Sequence, residues 1–151
     1  MQGFVPQDDD YERRVRESFL KQKLMRTIGA NLTSVLAGEV EIALPYRDDL
    51  TQQHGFIHAG VVATLADTAC GYAAYSLMAP DAAVLTVEYK INLLSPALGD
   101  SLLARGKVTK AGRTLTVCSG DVFALKDGER KLVATMLTTM MSIRDREGLV
   151  G

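Results

Sequence analysis

The sequence has little of what marks several common classes of protein. Its 151 residues carry a formal net charge of -1, which argues against a nucleic-acid binder, because such proteins usually present a basic face. It has only two cysteines, Cys70 and Cys118, and neither lies in a CxxC or Cys/His ligand spacing. Low-complexity tracts and internal repeats are also lacking. The composition, 47% hydrophobic and 23% charged, therefore indicates one ordinary globular domain with a real core.

The sequence also has little that would direct it to a membrane or out of the cell. Residues 1–10 are polar and acidic and lack the apolar region of a signal peptide. Residues 59–79 are long enough to span a bilayer, but Asp67 lies in their middle, where a charge costs about 3 kcal/mol. Two isolated cysteines without a signal peptide are typical of reduced core residues. We expect a cytoplasmic protein in which the long apolar segment is a buried helix.

The first half of the chain predicts two helices and one strand. Residues 8–28 form an amphipathic helix whose charged residues make a solvated outer face. Its apolar face contains Tyr11, Val15, Phe19, Leu20, Leu24 and Ile28. Residues 38–44 alternate as a half-buried strand that ends at Pro45, and a polar loop follows over residues 46–58. A long apolar helix covers residues 59–78.

After Pro80 the pattern is strands to the end. Strands are predicted at residues 83–93, 102–110, 114–125 and 131–143, with turns at 111–113 and 126–129. Small residues recur along the long helix, so it can lie very close to a curved sheet. The predicted fold class is α+β, with one long central helix wrapped by one curved antiparallel β-sheet.

Asp67 is the outstanding candidate for chemistry. It is the only charged side chain between residues 59 and 79, and it lies too far into the helix to serve as a cap. A buried carboxylate without compensation is costly, so it needs partners, a raised pKa or access to a cavity. A structural Asp, hydrogen-bonded across the sheet or a subunit interface, fits this pattern as well as a catalytic one.

The start of the same helix could hold an oxyanion. His58, Ala59 and Gly60 lead into it, and helix starts present free backbone N–H groups and the positive end of the dipole. Such a site can bind the oxygen of a polarised carbonyl, and small residues let a ligand approach the backbone. A tight junction between loop and helix explains the same residues without function.

Other chemistries have weak support. His54 and His58 have the spacing of helical metal ligands, but the segment lacks the Glu of HExxH, contains a loop glycine and has no evident third ligand. Cys70 has no candidate base beside it in the sequence, so core packing is favoured over nucleophilic catalysis. The chain has no GxSxG, P-loop or GxGxxG motif. We predict neither a metal nor a cofactor.

In combination these features are specific. The chain resembles the hotdog-fold acyl-CoA thioesterases, of the phenylacetate-degradation and 4-hydroxybenzoyl-CoA type. The resemblance rests on Gln52-x-x-Gly55-x-x-His58-Ala59-Gly60, Asp67 after six further residues, Thr86, Leu94-Ser95-Pro96-Ala97, Gly99-Asp100 and Gly112-Arg113-Thr114-Leu115. It implies a hotdog domain over residues 30–145, an N-terminal helix packed on it over residues 1–29, and a flexible tail over residues 146–151.

The resemblance also implies roles for individual residues. The family's helical acid, a nucleophile or general base, falls on Asp67, and the backbone N–H that follows the motif His58 and polarises the thioester carbonyl falls on Ala59, where most members have glycine. Gln52 would orient the carbonyl or a water molecule, and Thr86 would assist the acid. Gly55 and Gly60 would contact substrate, and the turn with Arg113 and Thr114 would lie near the coenzyme A arm. Apart from the resemblance, Lys107, Lys110 and Arg113 cluster around this turn and could bind the phosphates of the substrate, although a solvated strand end explains each of them equally well.

The family further implies a double-hotdog homodimer, or a homotetramer built from two. Each active site would then combine the loop of residues 52–60 from one subunit with Asp67 and Thr86 from the other. The expected activity is hydrolysis of an acyl-CoA to a free acid and coenzyme A. Nucleic acid and membranes are not expected as partners.

Two other functions remain open for such a fold. A non-catalytic acyl-CoA binding or regulatory protein is possible because function belongs to the site and not to the architecture, although the acid at position 67 favours an enzyme. A hotdog hydratase or dehydratase would need a histidine near its acid in an Asp-x-x-x-x-His arrangement. No histidine follows Asp67 anywhere in the chain.

Overall fold

The computed structural model describes residues 3–149 and Gly151. The helices are α1 (Tyr11–Lys21), α2 (Lys23–Ile28) and α3 (Ala59–Tyr75), with one turn of 3₁₀ helix at Asp48–Leu50. The strands are β1 (Asn31–Leu36), β2 (Glu39–Pro45), β3 (Ala83–Leu93), β4 (Ser101–Ala111), β5 (Leu115–Lys126) and β6 (Glu129–Ile143). The strands form one sheet in the order β1-β2-β4-β5-β6-β3, and every neighbouring pair is antiparallel.

Helix α3 lies across the concave face of this sheet and forms the core with it. Its small residues permit close packing, and two strand glycines complete the fit. A Cβ added at Gly106 of β4 would lie 2.3 Å from the Ala69 carbonyl carbon, and one at Gly120 of β5 would lie 2.8 Å from Cys70 Sγ. The backbones of β4 and β5 therefore contact α3 at positions where only glycine fits. This is the hotdog architecture, and the predicted α+β class with one wrapped helix is confirmed.

The N-terminal segment is held to the end of α3 by Arg14. Its guanidinium lies 4.3 Å from the centre of the Tyr75 ring and donates to the carbonyl oxygens of Tyr75, Met78 and Ala79. Asp8 Oδ2 lies 2.8 Å from its Nε. A cation at the C-terminal end of a helix satisfies orphan carbonyls and complements the dipole. Arg14 therefore fixes α1 against the core.

The predicted helix over residues 8–28 is wrong in one respect. It is two helices, because the backbone of Gln22 is extended between α1 and α2. Val15, Phe19 and Ile28 are buried as predicted, but Leu20 and Leu24 are 73% and 52% exposed. The break rotates α2, so that Met25 replaces Leu24 on the buried face.

The other boundaries differ in smaller ways. Strand β1 is absent from the sequence-based prediction, and Gly38, predicted as the first residue of the strand over residues 38–44, lies with a positive φ in the turn between β1 and β2. Helix α3 ends at Tyr75, three residues before the predicted end. The hairpin at Lys126–Glu129 is confirmed, because Asp127 and Gly128 both have positive φ, as a type I′ turn requires.

Strand β3 spans the predicted residues but does not bury its alternating apolar side chains within one chain. It pairs with β6 and forms one edge of the sheet. Leu85, Val87 and Tyr89 are 47%, 51% and 46% exposed.

Three residues, Met1, Gln2 and Val150, lie outside the described part of the chain, so the predicted segments 1–29 and 146–151 are only partly covered. The flexibility predicted for the tail stays a prediction. Within the described residues, no helix combines the length and apolar character needed to cross a membrane.

Candidate active site

The predicted acid and the predicted hydroxyl lie together in the structure. Asp67 is on the third turn of α3, half-buried, and faces β3. Thr86 Oγ1 donates a hydrogen bond of 2.8 Å to Asp67 Oδ1. Burial raises the pKa of Asp67 above its usual range, and the Thr86 hydrogen bond partly opposes this shift. The site therefore holds a carboxylate of increased basicity, with its orientation fixed by one donor.

Thr86 reaches Asp67 because β3 is irregular at this point. A bulge lies between Thr86 and Glu88 in the register with β6, and bulges commonly re-aim a side chain next to a functional site. Met140 of β6 is fully buried behind the pair, with its sulfur 3.5 Å from Thr86 Oγ1. The thioether is a weak second acceptor, so the hydroxyl proton has its strong partner in Asp67.

Asp67 and Thr86 line a groove of about 490 Å³ between α3 and β3. One side of the groove is the face of α3 that carries Ala63, Thr64, Asp67, Thr68, Gly71, Tyr72 and Tyr75. The far end is formed by Ser18, Lys21, Gln22 and Leu24 of the N-terminal helices, with Leu149 and Gly151. Sequence reasoning missed these N-terminal residues, because a charged amphipathic segment is typical of a solvated face and no motif includes them.

The start of α3 has the predicted geometry of a donor site. His58 is the N-cap, and its Nδ1 accepts a hydrogen bond of 2.8 Å from the Gly60 N–H. The N–H groups of Val61 and Val62 donate to the His58 carbonyl. In the described part of the chain, no acceptor is paired with the Ala59 N–H. Ala59 therefore presents a backbone donor at the positive end of the helix dipole.

Gln52 lies in the loop before α3, with its side chain held in one orientation. Its Oε1 accepts from the His54 N–H, which leaves the Nε2 hydrogens as donors. Gly55 has a φ of +81°, and its carbonyl accepts from the Tyr46 hydroxyl. A second cavity, of about 350 Å³, is lined by Gln52, Phe56, Ile57, Ala59, Val62, residues 93–97 and Val133. The loop residues thus surround one cavity, and Asp67 and Thr86 another.

The two halves of the predicted site do not meet within one chain. Ala59 and Asp67 are on the same helix, eight residues apart, which is about 12 Å along its axis. One carbonyl group cannot contact a donor and an attacking carboxylate at that separation.

The basic residues predicted for the coenzyme A arm lie at two separate positions in the structure. Lys110 and Arg113 lie at the hairpin between β4 and β5, as does Thr114, whose carbonyl accepts from the Ser142 N–H. Lys107 lies further along β4, and its ammonium is 3.3 Å from Glu39 on the outer face of the sheet. An ion pair already engages Lys107.

The cysteines belong to the core. Cys70 and Cys118 are both buried free thiols. Burial raises the pKa of both thiols, that of Cys118 to about 12. A thiol that does not ionise at neutral pH is a poor nucleophile, in agreement with the prediction that Cys70 packs.

Comparison with known proteins identifies the architecture. The sequence profile described as "Thioesterase superfamily" matches residues 54–131, more than half of the chain. A thioesterase family protein of Silicibacter pomeroyi is 51% identical in sequence, with a TM-score of 0.87 over 89% of this chain and 98% of its own. The PaaI protein of the Escherichia coli phenylacetic acid degradation operon has 20% identity and a TM-score of 0.81 over 96% and 99% of the two chains, and shows the same fold.

A further relative shares less of the chain. The 1,4-dihydroxy-2-naphthoyl-CoA hydrolase of Listeria monocytogenes is 28% identical over 94 residues, which cover 62% of this chain and 76% of that protein. The family profile contains His58, Ala59, α3 with Asp67 and β3 with Thr86, whereas Gln52 lies just before the matched residues. The chain belongs to the thioesterase superfamily, has its hotdog fold and is a thioester hydrolase.

Proposed function

We propose that the protein hydrolyses acyl-CoA thioesters with Asp67 as its catalytic carboxylate. The observation that carries this proposal is the position of Asp67, half-buried in a groove large enough for an acyl chain, with its pKa raised by burial and its orientation fixed by Thr86. An acid in a cleft whose pKa is shifted by burial is a candidate catalytic residue. The coenzyme A part of the substrate is supported by the relative that is a hydrolase of a CoA thioester.

The carboxylate has two routes to the products. As a nucleophile, Asp67 attacks the thioester carbon, the C–S bond breaks, the thiolate leaves, and water hydrolyses the acyl-aspartyl anhydride. As a general base, it takes a proton from a water molecule whose oxygen attacks the same carbon directly. Both routes give a free acid and the thiol of coenzyme A, and both need Asp67 ionised.

The developing oxyanion needs donors that Asp67 cannot supply. The Ala59 N–H and the Gln52 amide have the required chemistry. Because about 12 Å along α3 separates Ala59 from Asp67, we propose that these donors serve the Asp67 of another subunit. The active site in this proposal is composite, with loop 52–60 from one chain and Asp67 with Thr86 from its partner.

Strand β3 supports assembly with a second copy. It is 11 residues long, forms an edge of the sheet, and exposes Leu85, Val87 and Tyr89. A long apolar edge strand is a liability unless another strand or chain covers it. We propose that a second copy covers it in a homodimer or a homotetramer. In an active sample, a mass by light scattering equal to one 16.4 kDa chain would contradict this assembly.

The hairpin between β4 and β5 is proposed to contact the coenzyme A arm. Ser142 pairs with Val84 of β3 and donates to Thr114, so the hairpin lies beside the strand segment that leads to Thr86. Lys110 and Arg113 supply cationic donors of the kind that phosphate groups need.

The direct test is a panel of acyl-CoA thioesters assayed by thiol release. Aromatic and aliphatic acyl groups of several lengths are compared, with Asp67→Asn as the control for catalysis by the proposed site. We expect turnover of at least one class and its loss in the variant. Binding of these thioesters without turnover would instead support a non-catalytic acyl-CoA protein.

A further inference from the structure

The groove that begins at Asp67 ends at a cluster of polar groups contributed by the N-terminal helices. The Tyr72 hydroxyl lies 3.2 Å from Ser18 Oγ and accepts a hydrogen bond of 3.1 Å from Gln22 Nε2. The Lys21 ammonium, which lines the same groove, donates to the Gly151 carbonyl. We name these four side chains, Ser18, Lys21, Gln22 and Tyr72, the distal cluster.

The break between α1 and α2 places Gln22 in this cluster. The helix breaks there without a glycine or a proline: Gln22 has a φ of -73° and a ψ of 103°, and α2 begins at the next residue. Helix breaks usually have an identifiable local cause, and departures from local preference concentrate at functional sites. Here the extended backbone accompanies a side chain directed at the Tyr72 hydroxyl.

Between its two polar ends the groove is lined by apolar side chains together with Thr64 and Thr68, and the Thr68 hydroxyl donates to the Thr64 carbonyl. Gly71 lies between Asp67 and Tyr72 on α3, and the remaining lining includes Leu24, Leu85 and Val84. Tyr72 is five residues beyond Asp67, about 7.5 Å along the axis of the helix. An extended six-carbon acyl chain with its carbonyl at Asp67 has the length to bring its last carbon to the distal cluster.

The polar end would be a disadvantage for a simple alkyl chain. A methyl end would displace water from hydroxyl, amide and ammonium groups without replacing its hydrogen bonds. The cluster is rich in donors, namely Lys21 Nζ, the Gln22 amide and two hydroxyls, and Lys21 is its only cation among the groove-lining residues that the structure describes. An oxygen acceptor is the group that these donors fit.

We infer that the distal cluster selects acyl groups that carry an oxygen at the end remote from the thioester, either a hydroxyl or a carboxylate. This inference rests on the proposed function and names the substrate class of the same groove. Ser18, Gln22 and Tyr72 would recognise either oxygen, and Lys21 would add attraction for the carboxylate alone.

Three thioesters of equal chain length test it: hexanoyl-CoA, 6-hydroxyhexanoyl-CoA and adipoyl-CoA. We expect kcat/KM for the two oxygenated substrates to exceed that for hexanoyl-CoA by about three- to tenfold, the scale of one net hydrogen bond. Gln22→Met and Tyr72→Phe should reduce this ratio towards one. Gln7→Met makes the same chemical change outside the groove, where Gln7 Oε1 accepts from Arg144, and should leave the ratio as it is.

Lys21→Gln separates the two oxygen sources. The variant should have a reduced preference for adipoyl-CoA and an unchanged preference for 6-hydroxyhexanoyl-CoA. Added salt should have the same effect on the native protein, because it screens the exposed Lys21 ammonium. Equal or better turnover of hexanoyl-CoA by the native protein, or a ratio that Gln22→Met and Tyr72→Phe do not change, would overturn the inference.

Binding to Asp67→Asn, measured by calorimetry, keeps this result independent of catalysis. The same order of affinities should appear in the Kd of the three thioesters. If the native protein hydrolyses none of them but the Kd order holds, the proposed function fails and the distal cluster stands. If the protein hydrolyses the thioesters but shows no preference in kcat/KM or Kd, the proposed function stands and the inference about the distal cluster fails.

Discussion

The Thr86 hydroxyl donates to Asp67 Oδ1 across 2.8 Å, so that one side chain of β3 sets the orientation and the basicity of the single acid of α3. Burial and this hydrogen bond act on the pKa of Asp67 in opposite directions, and burial is the larger effect. The activity should therefore fall on the acidic side at a pH above the usual Asp range, because the protonated acid can neither attack nor accept a proton.

Thr86→Val should move that acidic limb to still higher pH. The valine keeps the shape but removes the donor that stabilises the carboxylate, so the pKa of Asp67 rises further. We expect about a tenfold loss of kcat at neutral pH, while Thr86→Ser retains the hydroxyl and should retain most of the rate. The pH profile of kcat/KM measures the shift. An unchanged acidic limb in Thr86→Val would show that the hydrogen bond does not control the acid.

Asp67→Asn should remove the activity and stabilise the fold. We expect a loss of two or more decades in kcat, since the amide is neither a nucleophile nor a base. Because the native pKa is raised, ionisation of Asp67 favours the unfolded chain. The cost to stability is absent below the unfolded pKa, grows as pH rises from the unfolded to the native pKa, and is constant above the native pKa.

The variant should therefore exceed the native protein in Tm at pH 7, and the difference should vanish in acid below about pH 4. Thermal unfolding over this pH range measures it. Near-normal turnover by Asp67→Asn would contradict the catalytic role, and a Tm advantage independent of pH would contradict the burial of its charge.

A residue of this site could be predicted only where the sequence around it carries a signal. Asp67 is a lone charge in an apolar segment, so burial physics identifies it without a structure. Thr86 came from the family resemblance, since one threonine in a polar–apolar strand carries no signal of its own. The bulge at β3 that aims it depends on pairing with β6, which is distant in the sequence.

The missing elements had weak local patterns. Strand β1 buries only Val35 of its six residues, so it lacks the alternation that identifies a strand. The break at Gln22 has no glycine or proline to mark it, and its partner, the Tyr72 hydroxyl, is 50 residues away in the sequence. The hydrophobic periodicity therefore predicts one continuous helix across Gln22, with Leu24 instead of Met25 in the core. In both cases tertiary contacts override the local preference.

Ala59→Pro should lose the oxyanion donor and keep the fold. The Ala59 N–H has no partner in the described structure, the first helical position accepts proline, and the extended ψ of His58, 137°, suits a residue before proline. We expect kcat to fall by about 10²–10³, the usual scale for one such donor. Ala59→Gly keeps the N–H and should stay within about tenfold. Normal turnover by a folded Ala59→Pro protein would transfer the role to the Gln52 amide.

Arg113→Ala should weaken binding of the nucleotide part of the substrate. The expected result is a rise in KM for an acyl-CoA that exceeds the fall in kcat, and a smaller effect on the matching acyl-pantetheine, which lacks the phosphates. Arg130→Ala is the matched control, because Arg130 packs on the Phe123 ring near the hairpin between β5 and β6. Equal penalties on both substrates would place Arg113 outside the nucleotide site.

The composite site makes a prediction that no single variant can test. In a protein co-expressed from equal amounts of Ala59→Pro and Asp67→Asn chains, each site draws its loop and its acid from different subunits. About one quarter of the sites then receive an intact loop from an Asp67→Asn chain and an intact acid from an Ala59→Pro chain. The mixed sample should therefore regain about one quarter of the native rate, although each variant alone is nearly inactive.

If the loop and the acid of one site belonged to the same chain, every chain would be defective and mixing would restore no activity. A different affinity tag on each variant verifies the mixing independently of activity, because about half of the dimers should carry both tags if the chains associate at random.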